Sequence, residues 1–182
     1  MPRFFSRRAS HCLAWSLSRR NVELDLAFID HCDAQVRAVE LYLTRAAKVD
    51  DPQAYARLRS VPGVGPVLAL VLLYEIHDIR RFAEAGQFLS YARLVRCAHE
   101  SAGKKKGTGG QKIGNAHLKW AFSEATCLLL RESEQAKRWL ARREKKRGKA
   151  RALGALAARL GRAVYHLLRR HEAFDPKRFF AS

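Results

Sequence analysis

The sequence has no long apolar run, and this absence excludes the simplest kind of membrane protein. A helix that crosses a bilayer needs roughly 20 consecutive apolar residues, and no segment of this chain supplies such a run. The first 20 residues combine basic residues with a short apolar patch that serine and histidine interrupt. A secretory signal requires an unbroken apolar stretch, so we expect neither a signal peptide nor a membrane partner.

Paired cysteines are missing too. The four cysteines stand apart, with no Cys-x-x-Cys pair and no histidines nearby at zinc-ligand spacing. This spacing predicts no metal site in the chain. We interpret the four as reduced thiols that fill the core of a cytoplasmic protein; they are Cys12, Cys32, Cys97 and Cys127.

Acidic residues are scarce in the second half of the chain. The 182 residues include 35 Lys and Arg against 17 Asp and Glu, a net charge of +18. Residues 90–182 hold 23 basic and 7 acidic groups, whereas residues 51–89 are neutral and residues 1–50 carry +2. Solubility does not require so large an excess, so we predict a polyanionic partner that binds the second half. The length allows one full core, with or without an extended arm.

Alternating strand-like patterns are absent as well, and helical periodicity takes their place. We therefore predict an all-α fold with a basic irregular segment at 1–21, a helical linker at 22–50 and a compact helical domain at 51–182. Within the linker, apolar residues recur every seven positions, without Gly or Pro. This pattern fits a coiled coil and, equally, an amphipathic helix packed on the chain's own core. The repeating positions are Val22, Ile29, Val36 and Leu43.

A tight glycine turn joins two predicted helices in the segment 51–77. The dipeptide Asp-Pro at 51–52 is typical of a helix start, and the run PGVGP at 62–66 separates that helix from a second, almost wholly apolar one. In a helix-hairpin-helix module the amides of such a turn hold a nucleic-acid phosphate, which makes Gly63 and Gly65 candidate contacts. A purely structural elbow explains the same pattern.

The segment 96–114, RCAHESAGKKKGTGGQKIG, is a lysine- and glycine-rich loop with a serine just before its basic run. Glycines let the backbone approach a ligand closely, and lysines stabilise negative charge. The arrangement suits a serine hydroxyl presented to a phosphodiester, so Ser101 is the candidate nucleophile. His99 and Glu100 either relay its proton or are solvated loop side chains. The candidate charge stabilisers are Lys104, Lys105, Lys106 and Lys112.

Basic helices are predicted at 115–171. Asn115 and Lys119 are candidate DNA contacts, with a plain helix cap and a solvated charge as the alternatives. The run at 137–151 contains a single acid, Glu144, which makes it the stronger phosphate-binding candidate. Aromatic residues in this region either stack on bases or fill a core; they are Trp120, Phe122 and Trp139. The candidate phosphate contacts in the run are Arg142, Arg143, Lys145, Lys146 and Arg147.

These segments occur in an order that resembles a known family. The hairpin RLRSVPGVGPVLALVLLYEIHDI, the loop ESAGKKKGTGGQKIGN and the helix AHLKWAFSEA together resemble the C-terminal part of the bridge-RNA-guided insertion-sequence transposases, over roughly residues 24–180. The resemblance implies that Ser101 attacks a DNA strand and holds it as a phosphoserine until strand exchange. It also implies DNA and a guide RNA as partners.

The same resemblance implies a domain that this chain does not contain. Members of the family carry an N-terminal domain with a metal-binding acidic tetrad, joined to the serine domain by a helical linker similar to residues 22–48. Upstream of that linker the chain has 21 residues, none of them Asp or Glu. We therefore expect a part of a transposase that is inactive alone, with no cofactor of its own and a divalent metal only in the missing domain.

Two functions stay open at this stage. The first is the DNA-binding part of a serine transposase, a homo-oligomer through residues 22–48 that is associated with the nucleoid in the cytoplasm of a bacterium or archaeon. The second is a non-catalytic DNA- or RNA-binding regulator. The first rests on the ordered motifs around Ser101, and the second rests on the charge excess of residues 90–182.

Overall fold

A computed structural model of the protein describes residues 4–95, 97–101, 104–109 and 113–181, with side chains for 17–95, 113–146 and 148–181. The described residues are nearly all helical, which confirms the predicted all-α class. None of these helices is long and apolar enough to cross a membrane. The elements are α1 (Phe4–Asp50), α2 (Pro52–Arg59), α3 (Pro66–Ile76), a 3₁₀ helix (Ile79–Arg81), α4 (Ala85–Tyr91), β1 (Cys97–Ser101), β2 (Lys104–Gly109), α5 (Ala116–Glu132), α6 (Glu134–Arg147), α7 (Lys149–Arg170) and α8 (Pro176–Phe180).

The chain divides into two compact units, and the first ends at Leu43. Its described part is the helix α1 up to that residue. The large apolar side chains from Leu17 to Tyr42 are all more than half exposed; Phe28, for example, is 68% exposed. The heptad positions Val22, Ile29 and Val36 are among them, and the coiled coil stays a prediction.

The start of α1 differs from the sequence prediction. Residues 4–21 were expected to be irregular, but the backbone is helical from Phe4 onward. The sequence has neither Gly nor Pro between Phe4 and Asp50. Nothing in the segment therefore interrupts the ladder of backbone hydrogen bonds once the helix has formed.

Local start signals place the helices of the second unit. The Asp51 carboxylate accepts a hydrogen bond from the Ala54 amide at 2.8 Å and caps α2, with Pro52 in the first turn. The Ser133 side chain accepts from the Ala136 amide at 3.2 Å and caps α6. These caps satisfy amides that a helix start leaves without partners. Helix α2 begins at the predicted Asp-Pro signal, whereas no helix start was predicted at Ser133.

Helix α7 lies at the centre of the core and packs on α2, α4, α5 and α6. Apolar side chains of α7 form the buried side of the helix, with Leu156, Leu160 and Val164 fully inaccessible to solvent. The rings of Phe88 in α4 and Phe122 in α5 meet edge to face with centroids 6.0 Å apart. Both rings are fully buried, so the core joins the helices that precede and follow the strands β1 and β2.

Two further features differ from the expectations. Cys127 is exposed and Cys32 is half-buried, so the predicted core role is wrong for Cys127. The reason is helical geometry: Ala125 and Leu129 face the core, and Cys127, two residues from each of them, lies on the other side of α5. The side chains of Cys12 and Cys97 lie outside the described residues.

Helix α8 is the second feature, because no helix was predicted after residue 171. The Asp175 carboxylate caps it by accepting from the Lys177 amide at 2.8 Å. The Arg159 guanidinium of α7 donates to the Phe179 carbonyl at 2.6 Å. These contacts hold the short helix against α7.

Candidate functional site

The candidate nucleophile lies at the end of a strand. Strands β1 and β2 form an antiparallel hairpin in which Ser101 pairs with Lys104 and Glu100 pairs with Lys105. The register shifts between Ala98 and Glu100. Thus the serine stands on the hairpin ladder directly opposite the first residue of the lysine run. The side chains of Ser101, Lys104, Lys105 and Lys106, and the whole of Lys112, lie outside the described residues.

The two ends of the hairpin segment are tied to each other. The backbone amide of Asn115 donates to the backbone carbonyl of Tyr91 at 2.7 Å. The Arg93 guanidinium donates twice to the Gly114 carbonyl, at 3.0 and 2.6 Å. Gly114 has a φ of 105°, and a Cβ there would lie 2.4 Å from the Tyr91 oxygen. Only glycine fits this crossing, which therefore fixes where the chain leaves and re-enters the helical body.

The side chain of Asn115 joins three elements. Its Oδ1 accepts from the Leu118 amide at 2.9 Å, which confirms the predicted cap of α5. Its Nδ2 donates to Glu75 Oε2 of α3 at 2.6 Å and to the Tyr91 hydroxyl at 3.5 Å. Because both ends of the amide are engaged inside the protein, Asn115 acts as a positioning residue at the hairpin base. Its predicted contact with DNA stays a prediction.

The Tyr91 hydroxyl belongs to the same polar cluster. Its hydrogen bonds with Asn115 first, and with Arg81 second, lower the pKa of the phenol from the usual value near 10.0, while burial and the Glu75 charge oppose this shift. The Arg81 guanidinium also lies 4.6 Å from the centroid of the Tyr91 ring. Such donors favour the negatively charged form of the phenol. The cluster thus combines a carboxylate, a guanidinium and a phenol beside the ends of the serine hairpin.

Sequence reasoning missed this cluster. Glu75 is the single charged residue of α3, PVLALVLLYEI. An acid in an otherwise apolar helix indicates a polar partner within the fold. Its partner, Asn115, is 40 positions away in the sequence. No local pattern predicts a contact of that separation.

The glycine turn is engaged inside the fold. The Gly63 amide donates to Glu132 Oε2 of α5 at 3.0 Å, and a Cβ on Gly63 would lie 2.5 Å from the Leu129 backbone nitrogen. A phosphate would have to displace Glu132 to reach that amide, which favours the structural elbow at Gly63. Gly65 is different: it is half-buried at the start of α3, with open space where a Cβ would lie. Its predicted phosphate contact stays a prediction.

The basic run of α6 presents most of its cations to solvent. Arg142, Lys145 and Lys146 are exposed, whereas Arg143 is half-buried and stacks 4.7 Å from the ring centroid of the buried Trp139. The side chain of Arg147 lies outside the described residues. Arg143 therefore has a packing role besides its charge.

The aromatic candidates separate into two groups. Phe122 and Trp139 are core residues, at 0% and 4% exposure, whereas Trp120 is 49% exposed on the first turns of α5. His117 and Lys119 are exposed beside it. Trp120 is therefore the one aromatic of the three with a face available for a base, on the helix that begins where the hairpin ends.

Comparison with known proteins identifies the region that holds this site. Residues 55–141 match the family described as Transposase IS116/IS110/IS902 family. This segment is thus similar to the transposase domain of that family. The matched segment runs from α2 into α6 and includes the strands β1 and β2, Glu75, Tyr91 and Asn115.

Three curated relatives agree with this match. The transposase for insertion sequence element IS1111A of Coxiella burnetii (strain RSA 493 / Nine Mile phase I) is 31% identical over 122 residues, which are 65% of this chain and 34% of that protein. The putative transposase y4pF/y4sB of Sinorhizobium fredii is 28% identical over 77% of this chain and 37% of its own length. The probable family 20 transposase of Pseudomonas aeruginosa is 26% identical over 124 residues, which are 66% of this chain and 37% of that protein. The chain thus spans about a third of the length of these relatives.

Proposed function

We propose that this chain is the DNA-binding portion of a transposase that breaks and rejoins DNA through the hydroxyl of Ser101. The observation that carries the proposal is the β1–β2 hairpin: its register pairs Ser101 with Lys104, the first of three consecutive lysines, inside the segment that matches the transposase family. The serine oxygen attacks phosphorus, a phosphoserine bond forms and the bond from phosphorus to one sugar oxygen breaks. The serine proton passes to a base, and the displaced sugar oxygen takes up a proton.

The chemistry of the hairpin supports this step. A serine hydroxyl is a weak nucleophile unless its proton is accepted and the charge that develops on the phosphoryl oxygens is stabilised. Lys104, Lys105 and Lys106 supply the positive charge. The bonds of Arg93 and Asn115 at the hairpin base hold the strand ends in place, because a catalytic group works only when the scaffold fixes its position.

DNA is the proposed polyanion, and a guide RNA is the proposed second partner. The charge of residues 90–182 supports a nucleic acid of either kind. The proposal of a guide RNA is based on the family resemblance that the order of the three sequence segments around Ser101 carries. Oligomerisation through residues 22–48 is proposed on the exposed apolar positions of α1.

The test of Ser101 uses a chimera in which this chain replaces the matching segment of the Coxiella burnetii transposase. We expect a denaturant-resistant adduct between protein and DNA in the wild type and none in Ser101→Ala, with DNA affinity within about twofold, because the hydroxyl adds no charge. Ser123→Ala is the matched control, since Ser123 is exposed on α5 and its hydroxyl donates to the Lys119 carbonyl of the same helix. An adduct that survives Ser101→Ala contradicts the proposal.

A non-catalytic nucleic-acid binder is the second candidate, favoured by the charge of residues 90–182. It predicts steeply salt-dependent binding and no adduct from the wild-type chimera. The same adduct measurement therefore separates the two functions.

A further inference from the structure

A cleft of about 360 Å³ opens between the second half of α7 and the short helix α8. Its volume is at the lower end of the range for small-molecule sites. The cleft lies wholly within the second unit, and its lining residues fall between 159 and 179. It is thus separate in sequence from the hairpin and from the segment that matches the transposase family.

One wall of the cleft is cationic. Arg162, His166 and Arg170 follow each other at intervals of four residues on α7, so they lie along the same side of the helix. Burial first, and then the charges of Arg170 and Arg162, hold the pKa of His166 below its usual value of 6.5. Arg162 and Arg170 thus line the same cleft, where an anion would offset their positive charge.

The acids of the cleft are already engaged. Glu172 pairs with Arg178 at 3.1 Å, and the Asp175 carboxylate accepts from the amides of Lys177 and Arg178 at the start of α8. Arg162 and Arg170 have no such carboxylate partner in the part of the chain with described side chains. Two cationic groups of the wall are thus available to a ligand.

Aromatic and aliphatic side chains also line the cleft. Phe174 is half-buried, and its ring centroid lies 5.2 Å from that of the buried Phe179. Leu167 and Ala163 of α7 continue this apolar lining. A ligand that fits this lining needs a negatively charged end and a flat apolar face.

We propose that the cleft holds one unstacked nucleotide of a single-stranded nucleic acid, with its phosphate at Arg162 and Arg170 and its base against Phe174. Guanidinium groups bind phosphate oxygens in pairs of hydrogen bonds, and bases stack on aromatic rings whatever their sequence. The cleft has space for a single nucleotide and not for a duplex. This site goes beyond the proposed chemistry at Ser101, because none of its residues belongs to the hairpin cluster.

Nuclear magnetic resonance of the ¹⁵N-labelled full chain tests the location. The probe is a thymidine trinucleotide with a 5′-phosphate, and inorganic phosphate is titrated separately. We expect saturable shifts of the amides in α7, α8 and their connection, with an affinity for the trinucleotide at least about tenfold higher than for inorganic phosphate. Equal affinity for the two probes, or shifts confined to α6, overturns the proposal.

Variants test the cationic residues of the cleft. Arg162→Gln with Arg170→Gln should weaken trinucleotide binding about tenfold or more, because both phosphate contacts are lost. Arg45→Gln with Arg169→Gln is the matched control: it removes the same charge from exposed positions outside the cleft and outside the basic run 137–151. Equal loss in both pairs would show a general charge effect and overturn the proposal. If the double variant does not fold, the single variant Arg170→Gln is compared with the single variant Arg169→Gln.

Phe174→Leu tests the base. This variant keeps an apolar side chain, so we expect it to reduce the preference for the trinucleotide over an abasic trinucleotide while phosphate affinity stays the same. An unchanged preference contradicts the stacking contact. These results are independent of Ser101. Absence of trinucleotide binding by a protein that still forms the protein–DNA adduct overturns only this proposal. Absence of the adduct from a protein that still binds the trinucleotide overturns only the proposed function.

Discussion

At the scale of single residues, two glycines of one turn have different surroundings. Gly63 has a φ of 82° and is packed against the α5 backbone, whereas Gly65 has a φ of −72° and open space beside it. The sequence gives the two residues the same role in a turn, because both stand in the run PGVGP. What separates them is the approach of α5, which lies more than 60 residues away in the chain.

We predict that Gly63→Ala lowers the free energy of unfolding by at least about 2 kcal/mol, since the new Cβ meets backbone atoms and the φ is strained. Gly65→Ala should change it by less than about 0.5 kcal/mol, because its φ suits any residue and nothing obstructs the Cβ. Urea unfolding followed by circular dichroism measures both. Similar values for the two variants would contradict the packing of Gly63 on α5.

At the scale of elements, the sequence predicts what local signals control. Asp51 with Pro52, Pro66 and Asn115 each mark a helix start, and α2, α3 and α5 begin there because caps act within a few residues. The hairpin had no such signal. Its strands lack apolar alternation and are defined by their pairing with each other. The tie between α3 and α5 was also unpredictable, since it joins distant residues.

The contacts of Asn115 that join α3 and α5 at the base of the hairpin, here called the joint, should contribute measurably to the free energy of unfolding. Asn115→Ala removes the cap of α5 and the partner of the half-buried Glu75 carboxylate, and we expect a loss of about 1–3 kcal/mol in urea unfolding. Asn115→Ser keeps a capping oxygen but cannot reach Glu75, so it should recover about 1 kcal/mol of that loss. Glu75→Gln retains an acceptor for the Asn115 amide and is the control. Wild-type stability in Asn115→Ala would contradict the joint.

At the scale of the whole molecule, charge is distributed unevenly along the chain. The net +16 of residues 90–182 includes the hairpin lysines, the exposed cations of α6 and the wall of the α7 cleft. Phosphate contacts release counterions, so each one adds about 0.9 to the slope of log affinity against log salt for duplex DNA. The location of the contacts can therefore be found from the salt dependence of binding.

The exposed cations of α6 should contribute to this slope, and those of α1 should not. We predict that Arg142→Gln, Lys145→Gln and Lys146→Gln together reduce the slope for duplex DNA by about 1 to 3 units, without changing the sequence preference of binding. Arg37→Gln, Arg45→Gln and Lys48→Gln form the matched control, because they remove the same charge from exposed positions of α1. Fluorescence anisotropy with a labelled duplex at several salt concentrations measures the slope. Equal reductions in both triple variants would mean that the DNA responds to net charge alone, and they would contradict a binding surface confined to the second half of the chain.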